Sequence, residues 1–254
     1  MAAVFGNPDQ FTITIEVVPP QGPDPAELLN RLQGLNNLDF HAFSVASNPV
    51  AKPRMSAMVF SSLIQKTCGR PAILHMTVRD QNRLGLHSEL CGAGALGINT
   101  IIAVTGDPSS VKDEHPARVV GDASVFRLIE MTRETGLEAG AVLDFRPEIN
   151  GLDQEIRRLE KKVAAGAGFV VTQPVYDEKT ARAIHQAVQK LNIPVIMGIL
   201  PLLSHRHAVF LHEKVAGIAV PEPLQNDMKQ AEDMVKTGIA HAREMLALAR
   251  TYFS

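Results

Sequence analysis

Short apolar runs alternate with amphipathic stretches along the whole chain, and each run ends in polar or turn-forming residues. Continuous apolar runs of this length are typical of parallel strands that are buried on both faces. The stretches between them have the spacing of helices that cover a sheet. The pattern predicts seven strands, at residues 11–18, 42–46, 73–78, 100–105, 139–143, 169–172 and 195–200.

Helices are predicted between these strands and after the last one. The third helix should end at Gly97, because glycine readily adopts the left-handed conformation that closes a helix. The last stretch is predicted as one long helix. In chain order, the predicted helices span residues 25–35, 56–66, 83–96, 122–134, 153–165, 179–191, 204–215 and 223–250.

Strict alternation of strand and helix favours a parallel sheet, and right-handed crossovers favour its closure into a barrel. We therefore predict an α/β protein with a (β/α)8 TIM-type barrel as a single domain over residues 1–254, lacking its last strand and helix. A gap between the first and seventh strands would expose backbone donors and apolar side chains. The sequence thus predicts a homo-oligomer, a partner subunit that covers this side, or an extra strand from residues 1–6.

Composition excludes several classes of protein. A net charge of −2 gives no electrostatic argument for nucleic acid, and no run is apolar and long enough for a membrane span. No signal peptide is visible, so we expect a cytoplasmic protein. The two cysteines, Cys68 and Cys91, are expected to pack as small apolar groups on helices, and no metal site is expected. A Rossmann domain is disfavoured, because no strand leads into a G-x-G-x-x-G turn.

Polar residues collect where the predicted strands end, which is the edge that carries the chemistry of α/β barrels. Glu16 is the strongest candidate for a functional role, because it stands between Ile15 and Val17 and is expected to be buried, where an unpaired carboxylate is costly. The full set is Glu16, Ser47, Asn48, His75, Arg79, Asp107, Asp144, Arg146 and Gln173.

Structural explanations remain open for these residues. Glu16 could form an ion pair with Arg79, and Asp107 could only shape the turn before Pro108. His75 could equally be a core histidine whose hydrogen bonds are satisfied.

Five segments together resemble the methylenetetrahydrofolate reductase family, in particular the bacterial branch that also occurs fused to homocysteine S-methyltransferase. The likeness covers about residues 11–222 in the same order. The segments are FTITIEVVPP (11–20), HMTVRDQNR (75–83), GALGINTIIAVTGDP (94–108), EKKVAAGAGFVVTQPVYD (160–177) and GILPLLSHRHAVFLHEKVAGIAVPE (198–222).

The resemblance implies roles for three of the polar residues. Glu16 matches the general acid that opens the methylene bridge of the folate to an iminium. Asp107 matches the aspartate beside pterin and flavin whose charge stabilises that cation. Gln173 matches the glutamine that orients the folate.

The resemblance also implies a flavin cofactor, usually FAD, with FMN as the other choice. Lys162 would offer its charge to the diphosphate, although a solvated helix face is an equal explanation for it. The positions that match or accompany cofactor contacts are His75, Thr105, Gly106, Asp107, Asp144, Glu155 and Lys162.

Three departures from the family pattern leave the cofactor contacts and the electron donor open. The segment Asp144-Phe145-Arg146-Pro147 differs from that of many relatives, and Ala46 replaces a hydroxyl residue that often contacts flavin. Leu211 replaces an aromatic residue that some members stack on nicotinamide or folate, so use of NAD(P)H is not implied.

The predicted function is the flavin-dependent reduction of 5,10-methylenetetrahydrofolate to 5-methyltetrahydrofolate, a step of one-carbon metabolism and methionine biosynthesis. One alternative is a subunit that binds a pterin within a larger one-carbon or electron-transfer complex. Another is a pterin-dependent methyltransferase barrel, which the pairing of Glu16 with a Thr-Gly-Asp motif disfavours.

Overall fold

Seven strands alternate with helices along the chain, in a computed structural model that describes residues 4–5, 11–107, 118–144, 151–215 and 217–253. The strands are β1 (Thr14–Val17), β2 (Ala42–Val45), β3 (Ala72–Thr77), β4 (Thr100–Val104), β5 (Glu138–Leu143), β6 (Phe169–Pro174) and β7 (Val195–Gly198). The α-helices are α1 (Ala26–Gln33), α2 (Ala57–Cys68), α3 (Arg83–Ala95), α4 (Val125–Glu134), α5 (Leu152–Ala164), α6 (Glu178–Val188), α7 (His205–Lys214), α8 (Glu222–Gln230) and α9 (Met234–Tyr252).

The order of the strands in the sheet is their order in the sequence, and the pairs from β1 to β5, as well as β6 with β7, are parallel. This order confirms the prediction of a parallel α/β sheet. In the described part of the chain, β1 and β7 each have one strand neighbour. The expectation that an oligomer or partner covers these edges stays a prediction.

The chain divides into two compact units. The first contains residues 12–141 and 164–168, and its core is built on large apolar side chains such as Phe43, Phe60 and Ile101, none of which is exposed. The second contains residues 142–163 and 169–254. Its core includes the cluster Tyr176, Leu202, Ala208, Leu211, Ile218, Val220, Leu224 and Met228. The single-domain assignment stays a prediction.

Side chains that precede the helices fix where several of them begin. Ser56, Asn82 and Ser124 each accept a hydrogen bond from a backbone N–H in the first turn of the helix that follows. Asp233 does the same for Lys236, 3.0 Å away, and so starts a new helix inside the stretch predicted as one. The single final helix was therefore wrong, because residues 231–233 leave the helical conformation and separate α8 from α9.

The two cysteines lie in different environments. Cys68 is buried at the end of α2, as expected, whereas Cys91 is exposed on α3. The buried stripe of α3 is formed by Leu86, Leu90 and Ala93, which leaves Cys91 on another face, with its Sγ 3.7 Å from His87 Nε2. The expectation that Cys91 packs in the core was therefore wrong. No helix among the described residues is both long and apolar enough to cross a membrane.

Helix α9 lies unusually close to the backbone of the loop that precedes α7. A Cβ atom added to Gly238 would lie 1.9 Å from the carbonyl oxygen of Leu202, a backbone atom that cannot move aside. Only glycine permits this approach. In α3, by contrast, a Cβ on Gly94 would meet a side-chain atom of Leu137 at 3.5 Å, an ordinary contact.

We predict that Gly238→Ala destabilises the protein by about 3 kcal/mol or more, since it overpacks a site with no free volume. Gly94→Ala is the matched control and should be neutral or stabilising by up to about 1 kcal/mol, because alanine favours the helix. Urea unfolding of both variants and the parent measures the two effects. Equal free energies of unfolding for the two variants would contradict the close approach of α9.

Candidate active site

Three polar side chains lie on one face of the sheet formed by β1, β2 and β3. Glu16 and Ser44 are register partners on β1 and β2, so their side chains point to the same face. The Oγ of Ser44 lies 2.7 Å from Nε2 of His75 on β3, which joins the histidine to this group. Glu16 is exposed, Ser44 is buried and His75 is half-buried. The expected burial of Glu16 was wrong, because β1 stands at the edge of the sheet.

The surroundings of His75 shift its protonation. Burial lowers the pKa of the His75 imidazole, and the carboxylate of Glu16 opposes this effect by a smaller amount. With the Ser44 hydroxyl as a hydrogen-bond partner, the neutral imidazole is satisfied in place.

A second group is organised by Arg79, which follows β3 and is buried. Its Nε and Nη2 donate to the two carboxylate oxygens of Asp80, at 2.5 and 2.7 Å. Its Nη1 donates to the backbone carbonyl of Asp107, at 2.6 Å. Thr77 Oγ1 donates to Asp80 Oδ2 at 3.1 Å. We call Thr77, Arg79, Asp80 and Asp107 the Arg79 network. Arg79 forms its ion pair with Asp80, so the alternative of an ion pair between Glu16 and Arg79 was wrong.

Asp107 contacts the loop between β2 and α2 (the β2–α2 loop, residues 46–56). The Oδ2 atom of Asp107 accepts a hydrogen bond from the backbone N–H of Val50, at 2.5 Å. Val50 has φ 50° and ψ 31°, a left-handed conformation that costs a β-branched residue about 1–3 kcal/mol. Asp107 thus has a long-range partner and does more than shape the turn before Pro108, which lies outside the described residues.

The two residues before Asp107 are the remaining part of the Thr-Gly-Asp motif. Thr105 is exposed. Gly106 has φ +87°, and a Cβ on it would lie 2.9 Å from Cβ of Arg79. Glycine is needed here both for the left-handed backbone and for the close approach of the chain to Arg79.

The second unit brings together Gln173, at the end of β6, and Asp144, which follows β5. The Nε2 of Gln173 donates to Oδ1 of Asp144 at 3.3 Å. Gly217 closes over this pair: it has φ +82°, and a Cβ on it would lie 2.8 Å from Cγ of Gln173 and 3.7 Å from Oδ1 of Asp144. Arg146 and the rest of residues 145–150 lie outside the described residues.

Lys162 and Glu155 are charged residues of α5 that are both buried, at 5% and 6% exposure. Lys162 Nζ donates to the backbone carbonyl of Val142 on β5, at 2.5 Å. Burial lowers the pKa of Lys162, while the carboxylates of Asp144 and Glu155 oppose that effect. The alternative of a solvated helix face was therefore wrong for Lys162, because the stripe that carries it faces β5.

Two residues that depart from the family pattern, Ala46 and Leu211, lie in the core. Ala46 is 5% exposed, and Leu211 is 5% exposed within the core cluster of the second unit. Leu211 is therefore covered by neighbouring apolar side chains.

Each of the two units, taken by itself, has residues whose chemistry suits a flavin. Thr105 and Asp107 are exposed at the end of β4 and offer hydrogen-bonding groups to a polar ring edge. In the second unit, Lys162 is a buried cation, and an anionic diphosphate would offset its desolvation. Among the described residues, no group of three or more His, Cys, Asp or Glu is placed to hold a metal ion.

Comparison with known families identifies the family of this chain. The model of the methylenetetrahydrofolate reductase family matches residues 5–251 of this chain. The chain belongs to the methylenetetrahydrofolate reductase family.

Curated members of the methylenetetrahydrofolate reductase family are distant in sequence. The probable methylenetetrahydrofolate reductase (NADPH) of Caenorhabditis elegans is 26% identical over 223 residues, which is 82% of this chain and 32% of that protein. The 5,10-methylenetetrahydrofolate reductase of Salmonella typhimurium is 26% identical over 206 residues, 78% of this chain and 67% of that protein. The chain thus spans about a third of the length of the nematode relative.

Solved structures confirm the TIM-type fold of this family member. An uncharacterized protein from Clostridium thermocellum that binds two copies of 5-methyl-5,6,7,8-tetrahydrofolic acid has a TM-score of 0.67 at 16% identity, covering 95% of this chain and 84% of that chain. A mutant tryptophan synthase α-subunit from Pyrococcus furiosus has a TM-score of 0.51 at 16% identity, covering 92% of this chain and 97% of that chain.

Sequence reasoning missed four residues that shape these groups: Ser44, Val50, Asp80 and Gly217. Only Asp80 carried a usable signal, since it directly follows Arg79 at the end of a strand. The others act through contacts between residues far apart in the chain, which single-sequence patterns do not contain.

We predict that His75 makes the protein less stable in acid. Because its pKa is lowered in the folded state, the unfolded state binds more protons, and the free energy of unfolding falls as the pH drops below about 6.5. His75→Gln should show a smaller loss between about pH 7.5 and about pH 5.5 in urea unfolding. His87→Gln, at an exposed position on α3, is the control and should keep the parent's pH dependence. The same pH dependence in parent and His75→Gln would contradict the assignment.

We predict that Gly217→Ala destabilises the protein more than Gly136→Ala does. Both glycines have a positive φ, but a Cβ on Gly136 meets nothing within 4 Å, so that variant isolates the backbone cost of about 1–2 kcal/mol. The excess in Gly217→Ala comes from Gln173, and adding Gln173→Ala should remove it. Urea unfolding of the single and double variants measures this coupling, and additive effects would show that Gly217 does not hold the Gln173 side chain.

Proposed function

We propose that this chain catalyses the reduction of 5,10-methylenetetrahydrofolate to 5-methyltetrahydrofolate with the help of a flavin, FAD or FMN. The proposal is supported by the chain's membership of the methylenetetrahydrofolate reductase family together with the carboxylates Glu16 and Asp107, which lie near the ends of β1 and β4. Both carboxylates are exposed, and therefore accessible to a substrate.

Glu16 supplies the proton in this proposal. Its protonated carboxyl donates to the nitrogen that leaves when the methylene bridge opens, which turns the remaining C–N bond into a cationic iminium. Exposure on the edge strand lets the carboxylate recover a proton from water after each turnover. His75 and Ser44 lie on the same face and add a polar wall beside it.

Asp107 supplies negative charge. A carboxylate that is already fixed in place stabilises a developing cation without reorganisation during the reaction. The hydrogen bonds of Asp107 to Val50 and Arg79 hold both its side chain and its main chain. A bound flavin would supply the hydride that the methylene carbon accepts.

In the second unit, Gln173 and Asp144 form a polar pair suited to the amide and amino groups of a pterin ring. Lys162 and Glu155 are the candidates for holding a flavin, with Lys162 directed to the diphosphate. His75, Thr105 and Gly106 are the corresponding candidates in the first unit. We place the reaction in the one-carbon metabolism of the cytoplasm that feeds methionine biosynthesis.

A second candidate function is a pterin-binding subunit that receives electrons from a partner protein. The burial of Leu211 favours it, because a covered aliphatic side chain offers no surface on which nicotinamide could stack. An assay with NADH, NADPH and an artificial reductant separates the two. Turnover with a nicotinamide favours the independent reductase, and turnover only with the artificial reductant favours the partner-fed subunit.

We predict that Glu16→Gln retains the fold and bound flavin but lowers the reduction of methylenetetrahydrofolate by about 10²–10⁴-fold, because the amide cannot donate the proton. The flavin absorbance of the purified protein and its reduction by an artificial donor should be unchanged. Glu27→Gln, at an exposed position on α1, is the control and should keep full turnover. Turnover at the parent rate in Glu16→Gln would refute the general-acid role.

A further inference from the structure

We propose that Arg79 is a positioning residue for Asp107: its guanidinium fixes the main chain of Asp107, whose carboxylate in turn holds the β2–α2 loop. The role of Asp107 toward a cationic folate belongs to the proposed function, so this inference rests on it. Arg79 itself is buried and need not touch the substrate.

The geometry of the contacts requires a guanidinium. Two adjacent N–H groups of Arg79 bind the carboxylate of Asp80 side by side, at 2.5 and 2.7 Å. A third donates to the carbonyl oxygen of Asp107, at 2.6 Å. A lysine ammonium keeps the charge but cannot reproduce three donors in one fixed plane.

The stem of Arg79 also supports the chain that leads to Asp107. Gly106 lies against it so closely that an added Cβ would be 2.9 Å from Cβ of Arg79. The backbone N–H of Val120 donates to the carbonyl oxygen of Arg79 at 2.9 Å, which ties residues 118–120 to the same point. Arg79 therefore contacts the Thr-Gly-Asp motif with both its stem and its charged head.

The β2–α2 loop completes the arrangement. Three of its residues, Asn48, Val50 and Ala51, have positive φ values of 44°, 50° and 55°. Asp107 Oδ2 accepts the Val50 N–H, and Asn48 Oδ1 accepts the N–H of Arg54 at 2.9 Å. A left-handed conformation at a β-branched residue persists only where neighbouring groups enforce it.

Asp80 fixes the guanidinium of Arg79 and is electrostatically linked to the same loop. Hydrogen bonding to Arg79 is the main reason that the pKa of Asp80 lies below its usual value, and hydrogen bonds from Thr77 and Asn48 lower it further. The geometric link from Arg79 to the β2–α2 loop therefore runs through Asp107, while Asp80 holds the guanidinium in place.

The charges explain why this matters for the reaction. Arg79 and Asp80 neutralise each other, so the exposed carboxylate of Asp107 keeps the net negative charge of the group. A cationic intermediate would meet that charge. A small displacement of a positioned catalytic group can cost up to about 10²-fold in rate, so release of the Asp107 main chain should be measurable as a loss of turnover.

The first test is a double-mutant cycle on turnover. Arg79→Lys should lower kcat for methylenetetrahydrofolate by about 10–10²-fold, with flavin reduction by an artificial donor unchanged. In the Asp107→Asn background it should lower kcat by less than about threefold, since the residue through which it acts has lost its charge. Arg83→Lys, four residues along and exposed, is the matched control and should change neither rate.

The second test needs no activity. The amide of Val50 should exchange with solvent faster in Arg79→Lys and in Asp107→Ala than in the parent, as measured by hydrogen exchange on the whole chain. Asp107→Asn keeps an oxygen acceptor and should keep the protection, as should Arg83→Lys. Should Arg79→Lys fail to fold, Asp80→Asn loosens the same guanidinium from its other partner and should give the same exchange pattern.

An equal loss of kcat in the parent and Asp107→Asn backgrounds, or no loss in either, would overturn the proposal, as would unchanged exchange of the Val50 amide. A parent protein without reductase activity would refute the proposed function instead. In that case the exchange of Val50 alone decides whether Arg79 positions Asp107.

Discussion

The buried guanidinium of Arg79 is the interaction on which the carboxyl edge of the first unit depends. A charge in this position is costly unless its donors are paired. Arg79 meets that requirement with groups that follow β3 and β4, so pairing one charge fixes two loops at once. Through the Asp107 carboxylate the same set of bonds reaches the loop after β2. Three loops therefore share one set of hydrogen bonds.

The two carboxylates proposed for catalysis are held in different ways, and each suits its task. Glu16 stands on an edge strand in contact with solvent, where a proton donor can be recharged. Asp107 is tied by its side chain and its main chain, as a fixed charge must be if it is to stabilise a cation without moving. His75 adds a half-buried imidazole whose pKa is lowered mainly by burial and only partly restored by Glu16.

The second unit also holds buried or polar side chains near its strand ends, but with fewer hydrogen bonds among the residues that the structure describes. Lys162 is buried against the end of β5, where its ammonium group donates a hydrogen bond to the carbonyl oxygen of Val142, and nearby carboxylates support its charge. Gly217 gives the side chain of Gln173 the room to reach Asp144. These contacts hold polar groups at strand ends that family resemblance associates with folate and flavin.

The sequence by itself determined the class of fold, the position of all seven strands to within a few residues, and the family. The fold and the strands could be predicted because continuous apolar runs report burial on both faces of a sheet, a property of each segment alone. The family followed from five segments that resemble it in the same order. The sequence also singled out Glu16, Asp107 and Gln173, since charged and amide groups at strand ends stand out against the apolar pattern, while Lys162 was indicated only by the family resemblance. The break between α8 and α9 escaped it, because helical spacing continues through residues 231–233 while the cap at Asp233 starts a new helix.

Only the tertiary structure decided which charges are buried and which partners they have. Glu16 looked buried from its apolar neighbours, yet its strand lies at the edge of the sheet. For Lys162 a solvated helix face was an equal explanation, yet the residue is buried and its stripe faces β5. Arg79 is paired with its immediate neighbour Asp80 and with the backbone carbonyl of Asp107, 28 residues away. Whether an apolar segment is buried depends mainly on its own composition, which the sequence shows. Which partner a charge pairs with depends on a few atoms from distant parts of the chain. Only folding brings those atoms together.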